Sequence, residues 1–543
     1  MRQLRSLTNR PRRPRSPRRR RLTVGLATAL VLTGLAAPVR ADPAPPRSEP
    51  SESRIQDLRA AESPLRAEGA LAWSGAGGVA NPADHTLTAG AMNAETTKRV
   101  TRLEKVLPKR TLTNAIGSAD RTAQPDCARD PFGPTAPQPQ LKYCLDDADS
   151  VDKEWLPQGV SGVSDAKDNE SWGNAGPDIQ LFTSYDAEDP GRNNDADSSR
   201  ADCTAAELAA DDACNQKGVR VTFVKTRKDP VTQAVIDVKY QHALLVWTTT
   251  IPGPANTNKI SYYGVASDDD PIQEGLHAGG IVWYGDFLYV ADTRNGIRVF
   301  DVQSILDLDP DGNPATHDAM GPDTDGVPTT ANVQDTTKIG RHGNSWYSYG
   351  YRYVIPQVAA WKFKAPQSNP DNGEHRCVAT GAPKASYLTL DRSTVPDQLV
   401  MGEYCRPSAA YPSTGRIASY PVAALAARTG EVPARSWSNY LPVTGGHVQG
   451  VAVIEDQKKL YINVSRGKSD PGHLYRAQWK TDGTLSLIGS PVLTAVGVEA
   501  LTIERGKNRL WSVSEYSPQM TGCTSICQRV LYAHDLTWLD SRP

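Results

Sequence analysis

The chain has 543 residues, of which 38 % are hydrophobic and 22 % charged, and its 60 basic residues nearly balance its 61 acidic ones. Eleven of the arginines and none of the acids fall within residues 1–41, which leaves 49 basic against 61 acidic residues beyond that segment, a net charge of −12. That balance excludes the basic face a nucleic-acid binder needs to displace counterions from phosphates, and it argues equally against an anionic membrane surface as partner.

The first element in chain order is an export signal. Ten arginines in residues 1–21 run into an apolar stretch from Leu22 to Ala37, followed by Pro38 and the small-x-small sequence Val39-Arg40-Ala41. The stretch is shorter than the roughly 20 residues of a spanning helix. Residues 1–41 are therefore expected to be a signal peptide cleaved before Asp42, of the ordinary secretory kind or, through Arg18 to Arg21, of the twin-arginine kind. Later segments are too short or too polar to span a bilayer, so a secreted, extracellular protein is expected, and a monomer.

Residues 42–65 are rich in Pro, Ser, Glu and Arg, Ala91 to Leu107 carries a weak helical pattern, and proline-rich sequence returns from Pro131 to Pro139. Residues 42–140 read as a disordered or weakly helical leader or pro-segment.

From residue 141 to 543 the pattern changes to short apolar runs separated by Gly, Pro, Asp and Asn, the punctuation of strands. The runs repeat. A small residue precedes an aliphatic strand at Gln158-Gly159-Val160, Gly279-Gly280-Ile281, Gln449-Gly450-Val451 and Glu499-Ala500-Leu501. A second strand follows, as in Leu288 to Asp292, Leu460 to Val464 and Leu510 to Val513. A third opens near glycine, at Gly218, Gly296, Gly415 and Gly472. Leu460 and Leu510 lie fifty residues apart, a spacing that suits a four-stranded blade. An all-β, six- or seven-bladed β-propeller is expected, with a polar insertion at about 183–217.

The stretch from His277 to Val302 (HAGGIVWYGDFLYVADTRNGIRVFDV) resembles LVIVD-type propeller repeats. Tyr349 to Gln357 (YGYRYVIPQ), Gln449-Gly450-Val451 and Leu510 to Tyr516 (LWSVSEY) further resemble secreted propeller proteins of actinobacteria for which no activity is agreed. The resemblance implies fold and compartment, and no catalytic residue is carried over from it.

The eight cysteines, all beyond residue 41, fall into four local pairs whose closure costs least chain entropy: Cys127 with Cys144, Cys203 with Cys214, Cys377 with Cys405, and Cys523 with Cys527. Disulfides are expected from the oxidising destination, whereas a zinc site would want Cys-x-x-Cys spacing and nearby histidines.

Asp307, Asp309 and Asp311 with Gly312 and Asp318 reproduce the one, three, five, six and twelve spacing of a calcium loop, so Ca2+ is the cofactor to test; against it stand Pro314 inside the loop and the short Asp318 at the last position. Leu441 to Gly445 (LPVTG) matches a sortase signal but lacks the apolar tail that must follow, and reads as a turn. Ser465 to Lys468 has Ser-x-x-Lys spacing at a strand end, where a helix start would be needed for acyl-enzyme chemistry.

Hairpin geometry places one more expectation. The residue entering a first strand and the residue leaving a second share an edge of the blade, which lies at one mouth of the channel. Gln158, His277, His447, Gln449 and Glu499 enter first strands, while Asp292, Glu403 and Glu515 leave second strands. They are the candidate ligand-binding residues. The function expected is non-catalytic binding of an extracellular protein, glycan or small ligand. The alternative is a lactonase-like hydrolase or lyase with a metal at the channel mouth.

Overall fold

The computed structural model describes residues 74–543 apart from 126, 188–216, 252–258, 266–275, 367–374, 436 and 524. The expected signal peptide, residues 42–73 and most of the 183–217 insertion lie outside the described residues.

Five antiparallel four-stranded blades surround a common axis. Blade 1 is Trp155–Gly162, Ile179–Asp186, Val219–Lys228 and Val235–Ile251, and blade 2 is Ile281–Tyr284, Phe287–Asp292, Gly296–Asp301 and Tyr353–Phe363. Blade 3 is Tyr387–Asp391, Gln398–Gly402, Arg416–Pro421 and Ser438–Tyr440, and blade 4 is Val448–Ile454, Lys459–Val464, His473–Trp479 and Leu485–Leu493. Blade 5 consists of Val498–Glu504, Arg509–Ser514 and Val530–Asp535, completed by Leu141–Cys144 from the other end of the chain. The first strands touch in the cyclic order 1-2-3-4-5-1, so the ring is closed.

The architecture is the expected β-propeller, with five blades in the ring where spacing alone suggested six or seven. Residues 302–352 account for much of the difference. They leave blade 2 to form a separate small sheet from Asp318–Met320, Thr329–Ala331, Ser345–Ser348 and Ile339–His342, outside the ring.

A narrow ring brings backbones together, and the small residues of the repeat are what allow it. A Cβ on Gly159 would lie 2.6 Å from the backbone of Gly280 and Ile281, and one on Gly450 would lie 2.7 Å from Ala500 Cα. One on Gly280 would collide with the backbone of Tyr387 and Leu388. Each repeat glycine therefore marks a contact between neighbouring inner strands.

Residues 74–140 do not form a free leader. Leu87–Ala89 pairs with the last strand of blade 2 and with Glu431–Val432, and the helix Asn93–Val106 buries Val100, Leu103 and Val106. Phe132 is fully buried and packs edge-on against Tyr532 at 5.1 Å. The apolar positions of the helix are spaced three apart among many polar ones, enough for one buried face but a faint signal in composition. Disulfides join Cys127 to Cys144, Cys377 to Cys405 and Cys523 to Cys527, with Cα separations of 5.4, 5.6 and 5.8 Å. Cys203 and Cys214 lie outside the described residues.

Gly280→Ala is expected to destabilise the protein by about 1–3 kcal/mol or more, because a methyl group must displace backbone. Gly117→Ala, where nothing stands within 4 Å, should be neutral or stabilising. Thermal or denaturant unfolding of the two variants checks the contrast.

Candidate functional site

Three of the five inner strands carry a β-bulge at the same edge. Pairing slips between Pro157 and Val160 in blade 1, between Val448 and Gly450 in blade 4, and between Val498 and Leu501 in blade 5. The residues inside these irregularities include Gln158, Gln449 and Glu499. A bulge re-aims a side chain out of the regular alternation, and each of the three finds a polar partner. Gln449 Nε2 donates to Glu499 Oε1 at 3.0 Å, and Gln158 Nε2 donates to Glu515 Oε1 at 3.1 Å. Blades 4, 5 and 1 are consecutive in the ring, so the four side chains form one polar cluster at the bulged edge of the inner strands.

Both carboxyls are buried, Glu499 at 1 % and Glu515 at 8 % exposure. Burial, then the charge of Glu515, pushes Glu499 well above the usual carboxylate range against the hydrogen bond from Gln449. Burial also raises Glu515, to about 7, opposed by a hydrogen bond with Tyr516, the charges of Arg529 and Lys468, and the amide of Gln158. Burial thus favours the protonated form of both carboxyls, and each carboxyl raises the proton affinity of its neighbour's site.

Histidines and tyrosines surround the pair. His277 stacks on Tyr185 with ring centroids 4.3 Å apart, and Tyr404 Oη and His447 Nδ1 share a hydrogen bond of 3.1 Å. His375 meets Tyr404 edge-on at 5.5 Å. Desolvation by the surrounding protein lowers all three histidines, reinforced by His375 at His277, by Arg406, Lys384 and His447 at His375, and by Arg406 and Arg466 at His447.

Two expected mouth residues are engaged inside their blades instead. Asp292 is fully buried, accepts from Arg298 Nε at 2.7 Å and from Asn295 Nδ2, and caps the turn into Gly296. Glu403, also fully buried, accepts from Arg416 Nε at 2.8 Å, from Arg416 Nη2 at 3.0 Å and from the Lys384 amide. In blade 5 the corresponding arginine, Arg529, instead donates Nε to the backbone carbonyl of Glu515 at 3.0 Å, and that leaves the Glu515 carboxylate facing Gln158. Tyr185, Tyr404, Tyr516 and His375 were not singled out in the sequence. The repeated Glu-Tyr dipeptides, Glu403-Tyr404 and Glu515-Tyr516, were the available signal for two of them.

No protein-family model matches this chain, and no curated protein matches it in sequence. Among solved structures it is similar to RS223 β-xylosidase, at 9 % identity over 70 % of this chain and 92 % of that one, with a TM-score of 0.30. It is also similar to PhoX of Pseudomonas fluorescens in complex with vanadate, at 9 % identity over 77 % and 98 % of the two chains, with a TM-score of 0.31. A third, the Dos1 propeller, has 13 % identity over 50 % and 66 %, with a TM-score of 0.18.

Among the described residues, two groups of side chains could converge on a metal. Cys377, Glu403 and Cys405 form one, but the sulfurs are joined in a disulfide and Glu403 is held by Arg416. The other is Asp309, Asp311 and Asp318, whose carboxylates lie within 4.8 Å of one another. Asp307, expected as the first calcium ligand, is instead clamped by Arg110 Nε at 2.9 Å and by Arg352 at 2.9 and 3.0 Å. Burial raises Asp309 to about 6, opposed by Arg352 and reinforced by Asp318. Gly312, with φ +72°, makes the sharp turn. The loop is entered through a single 3-10 turn, Val302–Ser304, and the short strand Ile305–Asp307 that follows it. No helix among the described residues is long and apolar enough to cross a membrane.

Because the folded state holds the Glu515 proton up to about pH 7, against an ordinary value of 4.5, this group costs stability as pH rises between those values. Glu515→Gln should therefore raise the melting temperature at pH 8, and the gain should shrink toward pH 4.5. Thermal unfolding of both proteins across that range measures it.

Proposed function

We propose that the protein is an exported propeller hydrolase that cleaves glycosidic bonds at the mouth of its channel. The observation that carries this is the pair of buried carboxyls, Glu499 in the bulge of the first strand of blade 5 and Glu515 just beyond its second strand, both with raised proton affinities. Two carboxyl groups set at different proton affinities supply the acid and the base that such a cleavage requires. Glu499, the more strongly protonated, donates a proton to the leaving oxygen, and Glu515 as carboxylate takes the partner role toward the anomeric carbon or an attacking water. The glutamines orient the carboxyls, and Tyr404 and Tyr516 offer ring faces and hydroxyls to the sugar. The arginine-rich start of the chain and the disulfides support export.

A second reading, non-catalytic binding of an extracellular protein, glycan or small ligand, is favoured by the 1 % exposure of Glu499 and by the glutamine that already holds each carboxyl. The two readings part on turnover. Glu499→Gln and Glu515→Gln should each lower kcat at least about 100-fold, measured as reducing-end release from a panel of oligosaccharides. Retention of full turnover by both variants would remove the carboxyls from the mechanism, whereas ligand binding without product in the unmutated protein would establish the binding reading.

We also infer that Asp309, Asp311 and Asp318 hold a calcium ion, whose charge would offset the burial, and the smaller repulsion from Asp318, that raise Asp309. Calcium should raise the melting temperature of the unmutated protein, since a ligand bound only by the native state stabilises it. Asp309→Asn should raise it without calcium at pH 7 and abolish the calcium response. An unmutated protein indifferent to both chelator and added calcium would leave the loop as a turn.

A further inference from the structure

The rim above the carboxyl pair is cationic in a protein that is otherwise acidic. Arg406 lies just beyond the second strand of blade 3, and Arg466 and Lys468 just beyond that of blade 4. Each of the three acts electrostatically on a residue of the mouth: Arg406 and Arg466 on His447, and Lys468 on Glu515. Arg298 and Arg416, on the third strands of blades 2 and 3, are matched by Asp292 and Glu403 at 2.7 and 2.8 Å. The rim cations have no such match, and among the described residues none of the three forms an ion pair.

Their contacts hold them in place without neutralising them. Arg406 Nε donates to Tyr404 Oη at 3.0 Å, and its guanidinium lies 5.8 Å from the centre of the Tyr404 ring. Lys468 Nζ donates to the Thr521 carbonyl at 3.0 Å and lies 5.8 Å from the centre of the Tyr516 ring. Arg466 is exposed. Below them, Gln158 and Gln449 are neutral and each donates to a buried carboxyl, Glu515 and Glu499 respectively, so the negative charge nearest the rim is that of the pair itself. The two tyrosines that hold the cations are the ones that flank the carboxyl pair.

We propose that the mouth selects an anionic saccharide, one whose sugar bears a carboxylate, sulfate or phosphate group bound by Arg406, Arg466 and Lys468. The proposal rests on the mouth being a glycan site and names the substrate class. Arginine presents a fixed fork of donors that matches a planar or tetrahedral anion, and lysine adds a point charge, so cations of both kinds on one rim suit an anionic group on a flexible chain. The Ser465-Arg466-Gly467-Lys468 sequence, which has no place in an acyl-enzyme scheme at a strand end, becomes a segment that delivers two of the three charges.

The test is binding, measured by calorimetry on the full exported protein in low salt. The probes are oligogalacturonate for the carboxylate, a chondroitin sulfate oligosaccharide for the sulfate, a mannose 6-phosphate oligosaccharide for the phosphate, and neutral galactan and xylan oligomers of matched length. At least one anionic probe should bind about tenfold or more tightly than the neutral ones, and its affinity should fall as salt is raised. The combined variant Arg406→Gln, Arg466→Gln and Lys468→Gln should lose that preference while keeping its melting temperature, because Arg406 and Arg466 are exposed and Lys468 is only half-buried. Neutral probes binding as well as anionic ones, an unchanged preference in the variant, or failure of every anionic probe to bind at millimolar concentration would overturn the proposal. Turnover is scored separately. Binding of an anionic probe without cleavage counts against hydrolysis and leaves the selectivity standing, whereas cleavage of neutral probes alone does the reverse.

Discussion

The approach of the five inner strands at the axis governs the rest of the molecule. At Gly159, Gly280 and Gly450 there is no room for a single methyl group between one backbone and the next. With the axis so tight, apolar burial has to be found between blade faces. Trp283, Val290 and Phe223 fill the space between blades 1 and 2, and Tyr289, Leu388 and Leu399 that between blades 2 and 3. The result is a set of wedge-shaped cores in place of one central one, each dependent on the strand spacing at the axis. Polar side chains are gathered instead at one end of the inner strands, as with Gln158, Gln449 and Glu499.

The bulges bring this about. A regular strand with a glycine at the axis presents small or apolar residues inward. An extra residue just before the glycine turns one polar side chain toward its neighbours, and blades 4, 5 and 1 each do this. Blade 5 adds a second device. Its third-strand arginine, Arg529, binds a backbone carbonyl where Arg298 and Arg416 bind carboxylates, so Glu515 is left without the ion pair that holds Asp292 and Glu403. Blades 2 and 3 thus hold their acid in an ion pair, while in blade 5 the carboxyl of Glu515 stays close enough to Glu499 to raise its proton affinity.

The repeat was legible because it records backbone contact: the Gly-Val, Gly-Ile and Ala-Leu pairs at the start of each unit are there for steric reasons. Blade number was not legible, since the excursion of residues 302–352 has the composition and strand spacing of a blade but forms its own sheet. The packed state of residues 74–140 was hidden for the opposite reason. Their few apolar side chains are dispersed, and they matter only because existing blades offer a surface to receive them. Of the expected mouth residues, Gln158, Gln449, Glu499 and Glu515 converge and His277 and His447 stand among the surrounding aromatics, whereas Asp292 and Glu403 do not face the mouth. Gly296-Ile297-Arg298 and Gly415-Arg416 already contained the partners that withdraw those two acids, but pairing an acid with an arginine one strand away needs the register, which only the fold supplies.

One consequence follows from the strand Leu141–Cys144. It lies fourth in blade 5, where Leu141 pairs with Ala533 and Cys144 with Val530, so the ring is latched by segments nearly four hundred residues apart. A chain emerging vectorially presents this latch first and its receptor last. Until the final blade arrives, the strand has no edge to join and blades 1 to 4 form an open arc with two unsealed flanks. Contacts so distant in sequence are slow to form, and the incomplete arc is the species most exposed to swapping its latch with a second copy. Oxidising surroundings that join Cys127 to Cys144 shape the latch locally without supplying its partner, so maturation of the ring is timed by the arrival of the C-terminal strands.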